Sequence, residues 1–391
     1  MRKRICFVTT ISASIKSFLL PLAHYMVEND NYDVTFVCDE DESMYPLMSE
    51  YIHYRPIKMK RGIAFDGIFV ICRLIKLFKR EKFDIVQYAT PNASLYGSIA
   101  SRLAGVPVRI YCEWGVRYID FTGLTRFAYR QLMKIMCNNA THIEVESHSI
   151  YDFSVKDKLY KPEKAVVIWN GSACGVDIDR YTLSNKPQWR KEVRSEYKIE
   201  DNATVFGYCG RITRDKGLNE LFGAFKRLVE TSNSQTKAYL MIIGGNDNVQ
   251  SIDPDLFSWA KSCPQVIFTG FTNNVPRYYS ALDVFTSLSY REGFGLVVIE
   301  AAAMGVPGIV TNVPGQRDTI EHMRTGYSVS AHDVDSVVKA MEYCVGNPEK
   351  VQEMGIAARK NVEEKYEQKE LFRRLTLHRN QMIEEMHLSK Q

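Results

Sequence analysis

Short apolar runs closed by small or polar residues alternate along this chain with stretches in which apolar positions recur every three or four residues. The first kind of pattern predicts buried strands and the second predicts helices packed by one face. Ile5 to Thr9 reads as the first strand, and Ile15 to Val27, apolar at 15, 18, 19, 22, 23 and 26, as the first helix. Strands over Val34–Cys38, Asp84–Tyr88, Val106–Tyr111 and His142–Glu146 follow, interleaved with helices over 67–82, 93–104, 123–137 and 148–158. A polar, weakly periodic stretch at 172–202 interrupts the alternation. It then restarts with strands Thr204–Cys209, Ala238–Ile243, Val266–Gly270 and Asp283–Ser287, helices 217–230 and 296–304, and a last helix from Tyr366 to about residue 386. Two rounds of strand–helix alternation predict an α/β chain with two Rossmann-like, doubly wound parallel-sheet domains. Residues 1–175 and 203–365 are the expected domains, with 176–202 as the connection.

Length agrees, since 391 residues exceed what one ordinary core organises. Hydrophobic content of 45% with 25% charged residues is that of a globular protein. A net charge of +4 is too weak to argue for nucleic acid, and none is expected as a partner. The nine cysteines are odd in number and never in Cys-x-x-Cys spacing. They read as small buried hydrophobes in a reducing compartment. Met1-Arg-Lys-Arg begins with basic residues, but the apolar run after it ends at Val8, which is no signal peptide. No later run approaches the ~18 apolar residues of a membrane span, so a cytoplasmic protein is expected.

The candidate chemistry concentrates in two loops. In Ser287-Leu-Ser-Tyr-Arg-Glu-Gly-Phe-Gly-Leu-Val-Val-Ile-Glu300, a short strand meets Gly293 and Gly295 and then an apolar helix. Unpaired backbone N–H groups and the dipole at such a helix start favour an anion. Glu292 and Glu300 flank this site eight residues apart, and Glu300 needs either a cleft or a partner to sit in an apolar helix. The other loop, Gly210-Arg211-Ile-Thr-Arg-Asp-Lys216-Gly217, offers a planar guanidinium fork and a compact ammonium. Taken alone, these two cations also suit a surface loop. An Asp-x-Asp at 39–41 reads as a solvated acidic loop, and no metal site is expected. Two basic stripes mark the first domain: Arg73, Lys76 and Arg80 with Lys79 and Lys82, and Arg126, Arg130 and Lys134. Each suits a helix covering a sheet or one resting on an anionic membrane surface.

Glu292-x7-Glu300 enclosing Gly293-Phe294-Gly295, the small-residue helix after it, Gly305-Val306-Pro307, Gly315 and Asp318 together resemble the signature of the retaining GT-B glycosyltransferases of family 4, also called group 1. The resemblance implies a GT-B fold whose terminal helix, 366–391, crosses back onto the N-terminal domain. It implies sugar transfer from a nucleoside diphosphate sugar, UDP-sugars being favoured over GDP-sugars, to a hydroxyl of a glycan or lipid-linked oligosaccharide. Arg211 and Lys216 match the diphosphate-binding pair. Glu292 would hold the transferred sugar and Glu300 the donor ribose. Gly210, Gly293 and the backbone N–H groups of Phe294, Gly295, Leu296 and Val297 would complete the donor site, with Phe271 lining the base pocket. With those cations no metal or other cofactor is required. No carboxylate pair suits double displacement, so front-face departure of the diphosphate is the mechanism expected. The chain departs from the family at its N-terminal half. Small hydroxyl residues including Ser12 and Ser14 replace a glycine-rich loop, Gln87 ends a strand where histidine is common, and Trp114-Gly115 replaces His-Gly. Ser12, Ser14, Glu113, Trp114 and Arg117 are therefore the candidate sugar or acceptor pocket. A nucleotide-sugar 2-epimerase and an inactive nucleotide-sugar-binding subunit are the alternatives.

Overall fold

The computed structural model describes residues 2–59, 67–231, 237–245 and 249–388. The last three residues of the expected terminal helix lie outside that range. The chain divides into two compact units, Met1–Cys174 with Gln368–Gln391, and Gly175–Glu367.

The first unit holds seven strands: β1 Lys3–Val8, β2 Tyr32–Val37, β3 Ile52–Tyr54, β4 Ile85–Tyr88, β5 Val108–Glu113, β6 His142–Val145 and β7 Ala165–Val166. They pair in the order β3-β2-β1-β4-β5-β6-β7, every pairing parallel. Helices cover both faces of a parallel sheet, so the central strands read as apolar runs rather than alternating ones. The helix Gly67–Glu81 buries Val70, Leu74, Leu77 and Phe78 and leaves Ile68 and Phe69 about 70% exposed. The first helical stretch begins at Ser12 and contains a π turn, Ile15–Leu19, before Leu20–Asp30. In the same unit the C-terminal helix Gln368–Leu388 packs on Leu20–Asp30, with Asn380 accepting from Tyr32 at 2.8 Å and donating to Asp30 at 3.0 Å.

The second unit has six parallel strands, β8 Thr204–Cys209, β9 Ala238–Ile243, β10 Val266–Gly270, β11 Val284–Ser287, β12 Gly308–Thr311 and β13 Gly326–Val329, in the order β10-β9-β8-β11-β12-β13. The chain order reverses between β8 and β11, and the loops that follow these two strands meet at their carboxyl ends. That is the usual ligand position in doubly wound sheets. The polar stretch expected as a connection contains the helix Lys186–Glu196, which belongs to this unit. Its weak apolar periodicity has a physical cause, because a buried arginine anchors it. Arg194 bonds Asp283 at 2.7 Å and the carbonyls of Ala281 and Ala203 at 3.2 Å. Asp283 also accepts from Arg190 at 2.6 Å and from the Val205 N–H at 2.8 Å, fixing the start of β11 beside β8.

Candidate active site

Both chemistry-bearing loops lie at the carboxyl ends of the strands around that reversal. After β11 the chain passes through Glu292 and Gly293 to Gly295, which caps the helix Leu296–Ala303 at φ 100°. Gln316, fully buried, braces the turn by donating to the Ser287 carbonyl at 2.6 Å, and Thr311 donates to the Ser289 carbonyl at 2.7 Å. Gly315 passes so close that a Cβ there would lie 2.3 Å from the Glu292 carbonyl oxygen. The bracing residues are buried polar groups with complete hydrogen bonds, which keeps the loop backbone in one arrangement.

The loop after β8 docks against this turn. A Cβ at Gly217 (φ 74°) would meet the Leu288 carbonyl at 2.1 Å, and the Tyr290 N–H donates to the Asp215 carbonyl at 3.0 Å. This contact brings Lys216 Nζ to 2.5 Å from Glu292 Oε1, which also accepts from the Ser289 hydroxyl at 2.8 Å. Gly210 and Arg211 lead into the loop. The Arg211 side chain is exposed while its carbonyl accepts from Tyr208 at 2.6 Å. Against the upward pull of its burial, a hydrogen bond from Thr213 and then the charges of Lys216, Arg211 and Arg291 hold Asp215 below the usual carboxylate range. The fold thus assembles an ammonium, a guanidinium, a carboxylate and a helix N-terminus from loops that are remote in sequence. Such a set can hold an oxyanion and a hydroxylated ligand next to each other.

Glu300 sits one helical turn further on, partly buried. Burial raises its pKa to about 7, opposed by the Tyr181 hydroxyl and then by the Arg180 charge. Tyr181 belongs to the polar stretch before β8, and no local signal marks it as this carboxylate's partner. Phe294 and Gly295 are buried, Leu296 and Val297 half-buried. Phe271, after β10, is 78% exposed. A carboxyl whose folded pKa lies above its unfolded value stabilises the fold in its protonated form. That contribution is complete below the unfolded value of about 4.5 and is lost as pH rises through about 7. Glu300→Gln is therefore expected to raise the melting temperature at pH 8 but not at pH 5. The gain is about 1–3 kcal/mol, and two thermal melts check it.

The N-terminal candidates do not form one pocket. Glu113 is fully buried, accepting from Tyr160 at 2.7 Å and from Ser154 at 3.2 Å, and its pKa is pushed up to about 7 by burial. This corrects its reading as a pocket residue. The strand end carrying it lies beneath the helix His148–Lys156, whereas Arg117 is exposed and stacks over the Tyr129 ring at 5.2 Å. Glu113→Ala should lower stability by about 2–4 kcal/mol, because two buried hydroxyls lose their acceptor. A shift in melting temperature of that size, with unchanged ligand affinity in the folded fraction, is the expected outcome. Ser12 donates to Asp41, which also accepts from Lys16 at 2.9 Å and from the Ser43 N–H, and these bonds hold the Asp41 carboxyl well below the usual range. The Asp39 side chain accepts from the Met59 N–H at 3.2 Å. Ser14 is half-buried on the helical turn before Ile15. Trp114 packs edge-on against Phe18 at 5.2 Å.

The second basic stripe is also corrected. Arg126 and Arg130 are claimed by Asp157 at 3.0 and 2.8 Å, so they tie helices together instead of facing outward. Among the described residues no group of three or more His, Cys, Asp or Glu is placed to hold a metal ion, and no helix is long and apolar enough to cross a membrane.

Two parallel sheets with these loops at the strand ends define a GT-B glycosyltransferase. The family model described as glycosyl transferases group 1 matches residues 190–361, and that described as glycosyl transferase 4-like matches residues 4–147. The chain belongs to the group 1 glycosyltransferases. It is 31% identical over 390 residues, 98% of each chain, to the capsular polysaccharide biosynthesis glycosyltransferase CapM of Staphylococcus aureus. It is 23% identical, over 81% of each chain, to an Escherichia coli UDP-Gal:α-D-GlcNAc-diphosphoundecaprenol α-1,3-galactosyltransferase. Among solved structures, Anabaena HepE in complex with UDP and glucose aligns over 99% of this chain and 100% of its own with a TM-score of 0.77 at 18% identity, a likeness of fold.

Proposed function

We propose that this chain is a retaining, metal-independent glycosyltransferase that moves a hexosyl or N-acetylhexosaminyl group from a UDP-sugar to a hydroxyl of a glycan or lipid-linked acceptor in envelope polysaccharide synthesis. The observation that carries the reading is the Lys216–Glu292 pair beside the Gly295 helix start, with Arg211 on the same loop as Lys216. The cations and helix N-terminus suit a diphosphate, and the carboxylate suits sugar hydroxyls. Glu300, one turn along, suits the vicinal hydroxyls of a ribose. The names of the CapM and diphosphoundecaprenol relatives support a polysaccharide or lipid-linked acceptor, and the latter supports UDP as the donor nucleotide.

Transfer then needs little covalent chemistry from the protein. The departing diphosphate is stabilised by Arg211, Lys216 and the helix dipole. The leaving phosphate oxygen takes the acceptor proton on the face where the new bond forms, so configuration is retained. The contribution of the chain is alignment and charge stabilisation. Thermal shift against UDP, GDP and their sugar conjugates tests the donor. A ligand at a hundred times its Kd adds about 2.7 kcal/mol to stability, so UDP conjugates should raise the melting temperature clearly. Stabilisation by GDP conjugates alone would replace the nucleotide.

A membrane surface is part of the proposal, narrowed to the helix Gly67–Glu81. Its exposed side carries Arg73, Lys76 and Lys79, with Ile68 and Phe69 exposed in its first turn. Basic residues near an anionic leaflet contribute about 1 kcal/mol each, screened by salt. Liposome flotation should show binding to anionic but not neutral vesicles, reduced by Arg73→Glu with Lys76→Glu and reversed by salt. Equal binding to both vesicle types removes the surface from the proposal.

A further inference from the structure

Glu300 stands on the second turn of the helix Leu296–Ala303, and the hydroxyl that meets it, that of Tyr181, comes from a turn far earlier in the second unit. That turn is built locally. The Asp177 side chain accepts from the N–H groups of Asp179 at 3.1 Å and Arg180 at 3.2 Å, and the Asp177 carbonyl accepts from the Tyr181 N–H at 3.0 Å. An aspartate that closes on its own following backbone makes a defined turn. Tyr181, 4% exposed, then stacks on Tyr279 with ring centroids 6.4 Å apart, and Tyr279 stands edge-on to Phe285 of β11 at 5.5 Å. The Arg180 guanidinium lies over the Tyr181 ring at 5.5 Å and donates to the Asn273 carbonyl at 2.9 Å.

The far end of the Glu300 helix is tied to the same turn. Arg359 Nη1 donates both to the Ala303 carbonyl at 2.5 Å and to the Tyr181 carbonyl at 2.7 Å, while Glu363 accepts from its Nε at 2.6 Å. Lys186 Nζ donates to the Met304 carbonyl at 2.6 Å. Cations suit the carbonyl end of a helix, and one of these two also fixes the Tyr181 backbone relative to Glu300. Packing alone does not call for the Tyr181 hydroxyl, since a phenyl ring fills the same space. The hydroxyl instead bonds Glu300, and that bond favours the charged form of the carboxyl against its burial. An ionised carboxylate only accepts. The bond to Tyr181 takes part of that capacity and fixes where the remainder points. Glu300 is only partly buried, so that remainder is open to a ligand's hydroxyls.

We propose that Tyr181, held by Arg359, orients Glu300 into a selector for ribose over deoxyribose in the donor nucleotide. The inference rests on the assignment of Glu300 to the donor ribose and adds the residues that give that contact its direction. Tyr181 and Arg359 are positioning residues, acting on the nucleotide through the carboxylate. With the carboxylate fixed, loss of one ribose hydroxyl leaves a hydrogen bond unmade that no rotation of Glu300 recovers. With the Tyr181 hydroxyl removed, the carboxylate turns to whichever donor is present, and the discrimination fades.

Calorimetric titration of the full chain with UDP and 2′-deoxy-UDP, and with GDP and 2′-deoxy-GDP in parallel, tests this without an acceptor. The wild-type chain should bind the ribonucleotide at least about tenfold more tightly than its deoxy counterpart, the size of one hydrogen bond to a charged group. Tyr181→Phe, which keeps the ring, should bring the two affinities within about threefold of one another by weakening the ribonucleotide and leaving the deoxynucleotide as it was. Arg359→Met should narrow the ratio in the same direction, and Arg359→Lys should recover part of it. Thermal melts confirm that each variant is folded, and Tyr181→Phe decides the matter should Arg359→Met fold poorly. A ratio unchanged in folded Tyr181→Phe, or equal weakening of both nucleotides, overturns the proposal and leaves Tyr181 a packing residue. Wild-type binding of UDP with no discrimination against its deoxy form sinks the selector and keeps the donor site. Discrimination within the guanine pair alone keeps the selector and replaces the base. Binding of neither pair sinks the donor site, and the selector with it.

Discussion

Arg211→Ala and Lys216→Ala should each lower kcat/KM for sugar transfer by about 30- to 1,000-fold, the equivalent of about 2–4 kcal/mol for one lost oxyanion-stabilising group. The two variants should differ in an informative way. The Arg211 side chain is exposed, so its removal should leave the melting temperature unchanged and report on the diphosphate alone. Removing Lys216 also takes the 2.5 Å partner from Glu292, so the carboxylate loses its orientation and the sugar contact weakens with the phosphate contact. The double variant should consequently lose less than the two single losses combined, as expected for groups acting on one departing charge. Wild-type turnover in both single variants would remove the diphosphate assignment.

Glu292→Gln should lower kcat by about 10- to 100-fold with a smaller change in donor KM. Gln keeps the shape and an accepting oxygen for the Ser289 hydroxyl. What it lacks is charge, and hydrogen bonds to a charged group exceed those to a neutral one, together being worth about 1.5–3 kcal/mol. Contacts to the reacting sugar strengthen as positive charge develops there, so the loss should fall on turnover. Steady-state kinetics in the two variants Glu292→Gln and Glu300→Gln check the division of labour, since a ribose contact alike in ground and transition states should act on KM. A KM effect at Glu292 and a kcat effect at Glu300 would exchange the roles.

Both domains' sheets were legible because buried parallel strands leave apolar runs, and the Gly295 and Lys216 loops because strand, glycine and helix signals are local. The strands β3 and β7, three and two residues long, and β12 and β13 escaped notice. The last two each begin with a glycine, which weakens the apolar run that marks a buried strand. Partners remote in sequence were illegible for a different reason. Nothing near Glu300 names Tyr181, and nothing near Glu113 shows that Tyr160 and Ser154 close over it. The stripe of Arg126 and Arg130 looks outward on a helical wheel, yet one aspartate beyond the next helix claims both. Arg379 gave no signal at all, as a single arginine in a charged terminal helix. Its buried ion pair with Glu144, at 2.9 Å, forms only when the first unit folds around it.

The most direct measurement is the anomeric configuration of the product, followed by proton NMR while the enzyme consumes a UDP-α-sugar in excess EDTA. Front-face transfer supported by Arg211, Lys216 and the Gly295 helix start predicts an α-linked product formed at an undiminished rate. A β-linked product contradicts retention. Loss of transfer on chelation, restored by Mg²⁺ or Mn²⁺, contradicts neutralisation of the diphosphate by these protein groups.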